Sequence, residues 1–395
     1  MSVLFSPIKL GALEIKNRFV HAATHEAMAR ETGEVTEELI KRYTYLARGG
    51  VGLIITGYVY IHPLGRARKF QTGIHNDEMI PGLKKMTSAV HNEGGRIALE
   101  LSHAGRQTMK DIIGHAPLAP SRTKRDPIYF VKPKEMTEED IQGVIKAFGD
   151  AAGRAIEAGT DVIHLHASGG YLINEFLSPF FNHRKDKWGG SDENRFRFLK
   201  QVIENVKSKV PGGVPIIVKM NVNDYTPNEG ITPLRADKYA EWLVESGVDG
   251  VEISEGTMAY SFMNGWLGEV PIKELLKGFP IWMKPMAWMK LNKMAKKCAF
   301  REAWLLEPAR RMKSILRGVP LILEGGLRRI EQMEMIVKNG DAQFIAMSRP
   351  FIREPYLVKH IKEGKVGAAS CVSCNKCIGA VVNDLPVRCY NKDRN

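Results

Sequence analysis

Eight short aliphatic runs recur along the chain, each ending in small or polar residues and each followed by an amphipathic stretch, and this alternation leaves few folds open. The predicted strands are 18–24, 51–56, 96–101, 161–166, 215–220, 250–254, 320–324 and 342–347. Predicted helices between them cover 36–48, 77–92, 137–157, 192–209, 233–245 and 329–338. Thr137 precedes Glu138, Glu139 and Asp140, so a capping hydroxyl and three acids meet the positive end of a helix. Gly159, Gly247 and Gly340 close others. Eight parallel strands joined by helices close most economically into an α/β (β/α)8 TIM barrel. An open doubly wound sheet is the alternative, but no G-x-G-x-x-G follows the first strand.

In a barrel, chemistry belongs at the C-terminal ends of the strands. His25, Gly57, His103, His166, Lys219 and Glu255 all fall at or just past predicted strand ends. Any one of these histidines is more often a buried, satisfied residue, but several polar groups on one rim are harder to explain that way.

Near the C-terminus Cys371, Cys374, Cys377 and Cys389 follow C-x2-C-x2-C-x11-C. Three thiolates within seven residues and a fourth from a return of the chain suit the corners of one [4Fe-4S] cluster. Structural zinc is the rival, although zinc usually takes two separated ligand pairs. A disulfide set is disfavoured because the start, Met1 to Ser6, lacks the features of a signal peptide, which also predicts a cytoplasmic protein. No stretch approaches the roughly 18 uninterrupted apolar residues of a membrane span.

The net charge of +13 resembles a nucleic-acid signal, yet twelve Lys or Arg against three Glu between Ile272 and Arg317 supply +9 of it. Nucleic acid is therefore not the expected partner. That basic stretch belongs to a segment, 255–318, far longer than an ordinary loop between a strand and a helix. It should border the catalytic face, and it holds Trp282, Trp288 and Trp304 beside several methionines. An accessory helical hairpin packed on the barrel, a lid over an anionic substrate, a docking face for an acidic protein and a membrane-surface helix all remain open. The domain plan is a barrel over 1–365 with this insertion and an iron-sulfur extension over 366–395.

Several motifs resemble the old yellow enzyme (NADH:flavin oxidoreductase) family, in particular its iron-sulfur branch with 2,4-dienoyl-CoA reductase and trimethylamine dehydrogenase. They are Leu4-Phe5-Ser6-Pro7-Ile8-Lys9-Leu10-Gly11, Ser102-His103-Ala104-Gly105-Arg106, the run from Gly170 to Pro179, Trp188-Gly189-Gly190 with Glu193-Asn194-Arg195, and Met347-Ser348-Arg349-Pro350. The resemblance covers nearly the whole chain and implies bound FMN, with Ala23, Thr24 and Gly57 beside it.

Gly325-Gly326 and Ser348-Arg349 follow strands seven and eight, where barrels commonly bind phosphate, and would offer backbone N–H groups and a guanidinium to FMN. Lys219 matches the family's cation at flavin N1 and O2. Glu100 stands where many relatives carry glutamine, and a carboxylate accepts from N3–H without donating to O2. His25 matches a position near flavin O4 and N5. Tyr171 matches the tyrosine that protonates substrate carbon, and a phenol near pKa 10 is protonated at neutral pH. His166 is the first of a substrate-anchoring pair whose second member is Gly169 here. Either His164, one side-chain period earlier, or a residue of the long loop after Ser254 replaces the missing donor, or the substrate differs from a simple enone; of these His164 carries less weight, being expected to point to the other face of the strand end and pack.

The implied activity is reduction of an activated C=C bond in an enone, enoate or enoyl-CoA. Alternatives are an amine dehydrogenase-like oxidation or an electron-transfer subunit. Iron-sulfur relatives continue into an FAD and NAD(P)H domain, whereas this chain stops six residues past Cys389. Electrons are thus expected from NAD(P)H as a transient donor or from an acidic redox partner, and the chain is expected to form a homo-oligomer.

Overall fold

Aliphatic and β-branched residues build eight parallel strands: β1 (Phe19–His21), β2 (Leu53–Ile55), β3 (Arg96–Ser102), β4 (Val162–Ala167), β5 (Ile216–Asn221), β6 (Gly250–Ser254), β7 (Leu321–Leu323) and β8 (Phe344–Met347). Each pairs with the next in sequence, and β8 pairs with β1 through Ile345 and Phe19, so the ring closes. Closure excludes the open sheet. The computed structural model describes residues 2–261 and 265–391; residues 262–264 of the insertion and 392–395 of the extension lie outside the described residues.

Helices α1 (Glu37–Arg48), α2 (Ile80–Asn92), α3 (Glu138–Glu157), α4 (Asp192–Lys209), α5 (Pro233–Glu245), α6 (Leu306–Met312) and α7 (Ile330–Lys338) connect successive strands. Thr36, Ser191 and Thr232 cap α1, α4 and α5, and Thr137 forms a full capping box with Asp140 at α3. The short α6 is hidden in the sequence inside the long basic segment.

Alternation along each strand sends every second side chain into the barrel. Low in the lumen Val20, Leu53, Ala98, Val162, Ile217, Ile322 and Phe344 form one apolar plug, closed below by Leu10 and Ile15 of an N-terminal hairpin. One period higher on the same strands the inward residues become Glu100, His164, Lys219 and Glu324, joined by Glu252 above Gly250. An apolar floor thus carries a charged layer directly beneath the mouth.

The insertion and the cysteine extension pack on each other. Asn375 Nδ2 donates to Trp266 O (2.8 Å) and Glu269 O (3.0 Å), Glu269 N donates to Ser373 O (3.0 Å), and Asn383 Nδ2 donates to Glu274 O (3.0 Å). Helix Lys284–Ala295 buries only Ala287 and Leu291, while Ile281, Trp282, Met286, Trp288 and Met289 stay exposed. The Trp and Met stripe is therefore not the packed core of a hairpin. Among the described residues no helix is long and apolar enough to cross a membrane.

Candidate active site

The barrel mouth opens into a cavity of about 210 Å³ walled by strand ends, the insertion and the cysteine extension. Ala23, Thr24, His25, Glu100, His166, Tyr171, Lys219, Gly325, Gly326, Ser348 and Arg349 all line it, as does Glu255. Gly57 does not, because its N–H donates to Glu26 Oε1 (2.7 Å) and Tyr43 OH (2.9 Å) behind the wall. His103 also turns away, its Nδ1 accepting from Gly105 N–H at 3.1 Å.

The floor of the cavity is an ion-pair network. Lys219 Nζ lies 2.9 Å from Glu324 Oε2 and 3.2 Å from Glu252 Oε1; Glu252 Oε2 accepts from His164 Nε2 at 2.8 Å; and Glu100 Oε1 stands 3.3 Å from both His164 Nδ1 and His166 Nδ1. Burial alone would strip the His164 proton, yet the two carboxylates gripping the ring raise it to about 9. Burial opposes the Lys219 charge as well, and Glu252 and Glu324 more than restore it. Burial pushes Glu324 up, whereas Lys219 and His164 keep Glu252 ionised against its own burial.

The expectation for His164 is corrected here. It lies two residues before His166, so both point into the lumen, and His164 is the hub of the charged layer. Glu252 and Glu324 escaped sequence reading too, although Glu324 occupies the last position of a predicted strand.

Above the floor stands an aromatic box. His25 stacks on Tyr58 (centroids 5.2 Å apart), Tyr58 meets Tyr171 (5.2 Å), and Tyr171 meets His166 (4.6 Å). Tyr58 was not singled out from sequence, although it follows directly on Gly57 at a strand end. Burial pushes His25 down to about 3 and His166 down to about 4, so both rings are neutral. Neither nitrogen of His25 has a protein partner. Burial and the neighbouring tyrosines hold the Tyr171 phenol well above its ordinary value, which keeps its proton in place.

At the opposite end Gly325 (φ 109°) and Gly326 (φ 74°) form a left-handed turn against Trp304. Their N–H groups have no acceptor among the described residues. Thr24 Oγ1 and Ser348 Oγ lie 2.6 Å apart across the same end. Arg349 is buried rather than a surface residue, and its Nη1 donates to Leu267 O (2.9 Å) and Asn375 Oδ1 (2.6 Å), tying the phosphate end to the cysteine loop.

Cys371, Cys374, Cys377 and Cys389 line one small hollow with Arg349 and Arg353. Ser373 (φ 53°) and Asn375 (φ 54°) flank Cys374 in left-handed conformations that wrap the loop around this hollow. All four thiols are free, so no disulfide joins them. Among the described residues no three His, Cys, Asp or Glu side chains converge on a point that could hold a single metal ion. Cys298 packs elsewhere, against Leu267.

The model of the NADH:flavin oxidoreductase / NADH oxidase family matches residues 3–263. The chain belongs to this family. It is 32% identical over 391 residues to the 4,4'-dithiodibutanoate disulfide reductase of Rhodococcus erythropolis, covering 99% of this chain and 95% of that protein. It is 34% identical over 393 residues to the NADH oxidase of Thermoanaerobacter brockii, covering 98% of this chain and 55% of that one. A solved complex of 2-naphthoyl-CoA reductase with 2-naphthoyl-CoA superposes with a TM-score of 0.85 at 26% identity, over 98% of this chain and 56% of that one. The chain thus spans about half the length of these last two proteins. Family membership makes it a flavin-dependent oxidoreductase, and the family's flavin is FMN.

Proposed function

We propose that the protein reduces an activated C=C bond, and the observation that carries this reading is the buried, protonated Tyr171 hydroxyl beside the neutral His166 ring. The cavity fits FMN. Two unclaimed glycine N–H groups and the Thr24 and Ser348 hydroxyls would hold its phosphate, while Glu100 and Lys219 would hold the polar edge of its ring. Bound FMN supplies the hydride.

The chain supplies the rest. His166 donates to the substrate carbonyl oxygen and draws charge from the double bond. Tyr171 delivers its phenolic proton to the carbon beside that carbonyl, so hydride and proton together saturate the bond. The Tyr171 phenolate left behind regains its proton from water entering the cavity once product leaves, and Tyr58, its ring 5.2 Å from that of Tyr171, flanks it in the box. The neutral His25 offers one free donor to the cofactor side of the box.

The cysteine hollow is proposed to hold a [4Fe-4S] cluster. The C-x2-C-x2-C-x11-C spacing and the shared hollow of the four cysteines support this reading over zinc, which usually takes two separated ligand pairs. The lysine-rich, exposed Trp and Met face supports docking of an acidic redox partner beside that cluster.

A second reading is disulfide reduction, favoured by the Rhodococcus relative, whose name specifies an acid disulfide. Anaerobically reduced protein mixed with enones, enoates, enoyl-CoA esters and 4,4'-dithiodibutanoate separates the two. Flavin reoxidation by the unsaturated compounds supports our reading. Reoxidation by the disulfide alone replaces it, and bleaching of oxidised flavin by added amines reverses the direction of electron flow.

A further inference from the structure

The loop after β2 carries a second functional group into the cavity. Gln71 clamps this loop: its Oε1 accepts from Ala67 N (2.7 Å), and its Nε2 donates to Tyr58 O (3.0 Å). The clamp sets Arg68 beside Tyr58 in the cavity wall. Among the described residues no carboxylate lies within ion-pair distance of Arg68, and the largest charge partners acting on it are the hydroxyls of Tyr129, Tyr58 and Tyr171, ahead of Asp384. Its company is aromatic. The guanidinium sits 5.8 Å from the Tyr129 ring centre, and its charge acts on the hydroxyls of Tyr129, Tyr58 and Tyr171.

The other cavity cations are differently placed. Lys219 is neutralised by Glu252 and Glu324, Arg349 is bonded to Asn375, and Arg328 is bonded to Ser373. Arg68 is half-buried on the cavity wall, so a guanidinium without an acidic partner there keeps donors available to a ligand entering the cavity. Its planar fork matches a carboxylate in two parallel hydrogen bonds.

We infer that Arg68 is an anion-recognition residue and that the substrate carries a free carboxylate beside its reacting double bond, clamped between Arg68 and the tyrosines of the box. This deepens the proposed reaction, on which it rests for the identity of the reacting bond. The position next to Tyr58 and Tyr171 favours an anion on the reacting part of the molecule. The phosphates of a distant CoA handle would be bound outside the box.

Cinnamate and cinnamamide have nearly the same shape and differ in charge, so their affinities for the FMN-loaded protein, measured by calorimetric titration, test the site. Cinnamate should bind at least about tenfold more tightly, the order expected for a charge-assisted pair. Arg68→Gln should remove that preference while leaving cinnamamide within about threefold, and Arg68→Lys should retain part of it. Equal affinities in the unmodified protein, or equal loss of both ligands in Arg68→Gln, overturns the inference. Reoxidation of reduced flavin by neutral cinnamaldehyde reports separately on C=C reduction. If the cinnamate preference holds and cinnamaldehyde fails, the reaction falls and the anion site stands; the reverse pattern removes only the anion site.

Discussion

His164 should be the one lumen histidine that stays charged through neutral pH. Its ring is fully buried between Glu100 and Glu252 and holds its proton up to about 9, against an ordinary 6.5. That difference of about 2.5, at about 1.4 kcal/mol for each factor of ten, amounts to about 3 kcal/mol. Because the folded value lies above the unfolded one, this stabilisation is fully present below pH 6.5 and is lost as pH rises through 9. Selective ¹⁵N labelling of histidines and NMR titration read the site directly. His164 should titrate near 9, while His25 and His166, held near 3 and 4, should stay neutral down to at least about pH 5. Glu100→Gln removes one of the two flanking charges in an isosteric way and should lower the His164 midpoint by about one unit or more. A midpoint near 6.5, or one unmoved by Glu100→Gln, would refute the charged-layer account.

Tyr171→Phe keeps the ring against His166 but removes the proton, and should slow flavin reoxidation by enones about 10²- to 10⁴-fold with flavin content unchanged. Unchanged stopped-flow rates remove the tyrosine from its role. In Gly326→Ala, a Cβ would lie 2.5 Å from Trp304 Cζ3 at φ 74°, so a cost of about 1–3 kcal/mol and loss of FMN on gel filtration are expected. Retention of full flavin would show that this turn does not hold the phosphate. Cys389→Ser should lower iron and sulfide per chain while FMN per chain is kept. Iron-free protein carrying one zinc per chain, before any substitution, would replace the cluster by a structural ion.

The cysteine spacing and the strand-end positions were legible because both follow from local rules. A βα alternation repeats every few tens of residues, and polar residues after β-rich runs mark a rim. His164 stands one side-chain period before His166, but its role was not legible because its partners Glu100 and Glu252 come from other strands and meet it only when the barrel forms. Glu252 and Glu324 were invisible as a pair, since they lie on adjacent strands separated by 72 positions in sequence and meet only through Lys219. Tyr58 carried a local signal, directly after Gly57 at a strand end, whereas Arg68 sits in a loop without periodicity and nothing local marks it.

Local patterning by itself determined the number of strands and the grouping of four thiols near the tail, because each depends on short-range alternation or spacing. Only the tertiary structure decided which charges meet. Three carboxylates, a lysine and a histidine from five strands become one buried network when the sheet closes, and the long basic segment becomes the inner wall of the site by packing on the cysteine loop. Electrostatic energy depends on distance through space and on burial, and a linear sequence carries neither until the ring is shut.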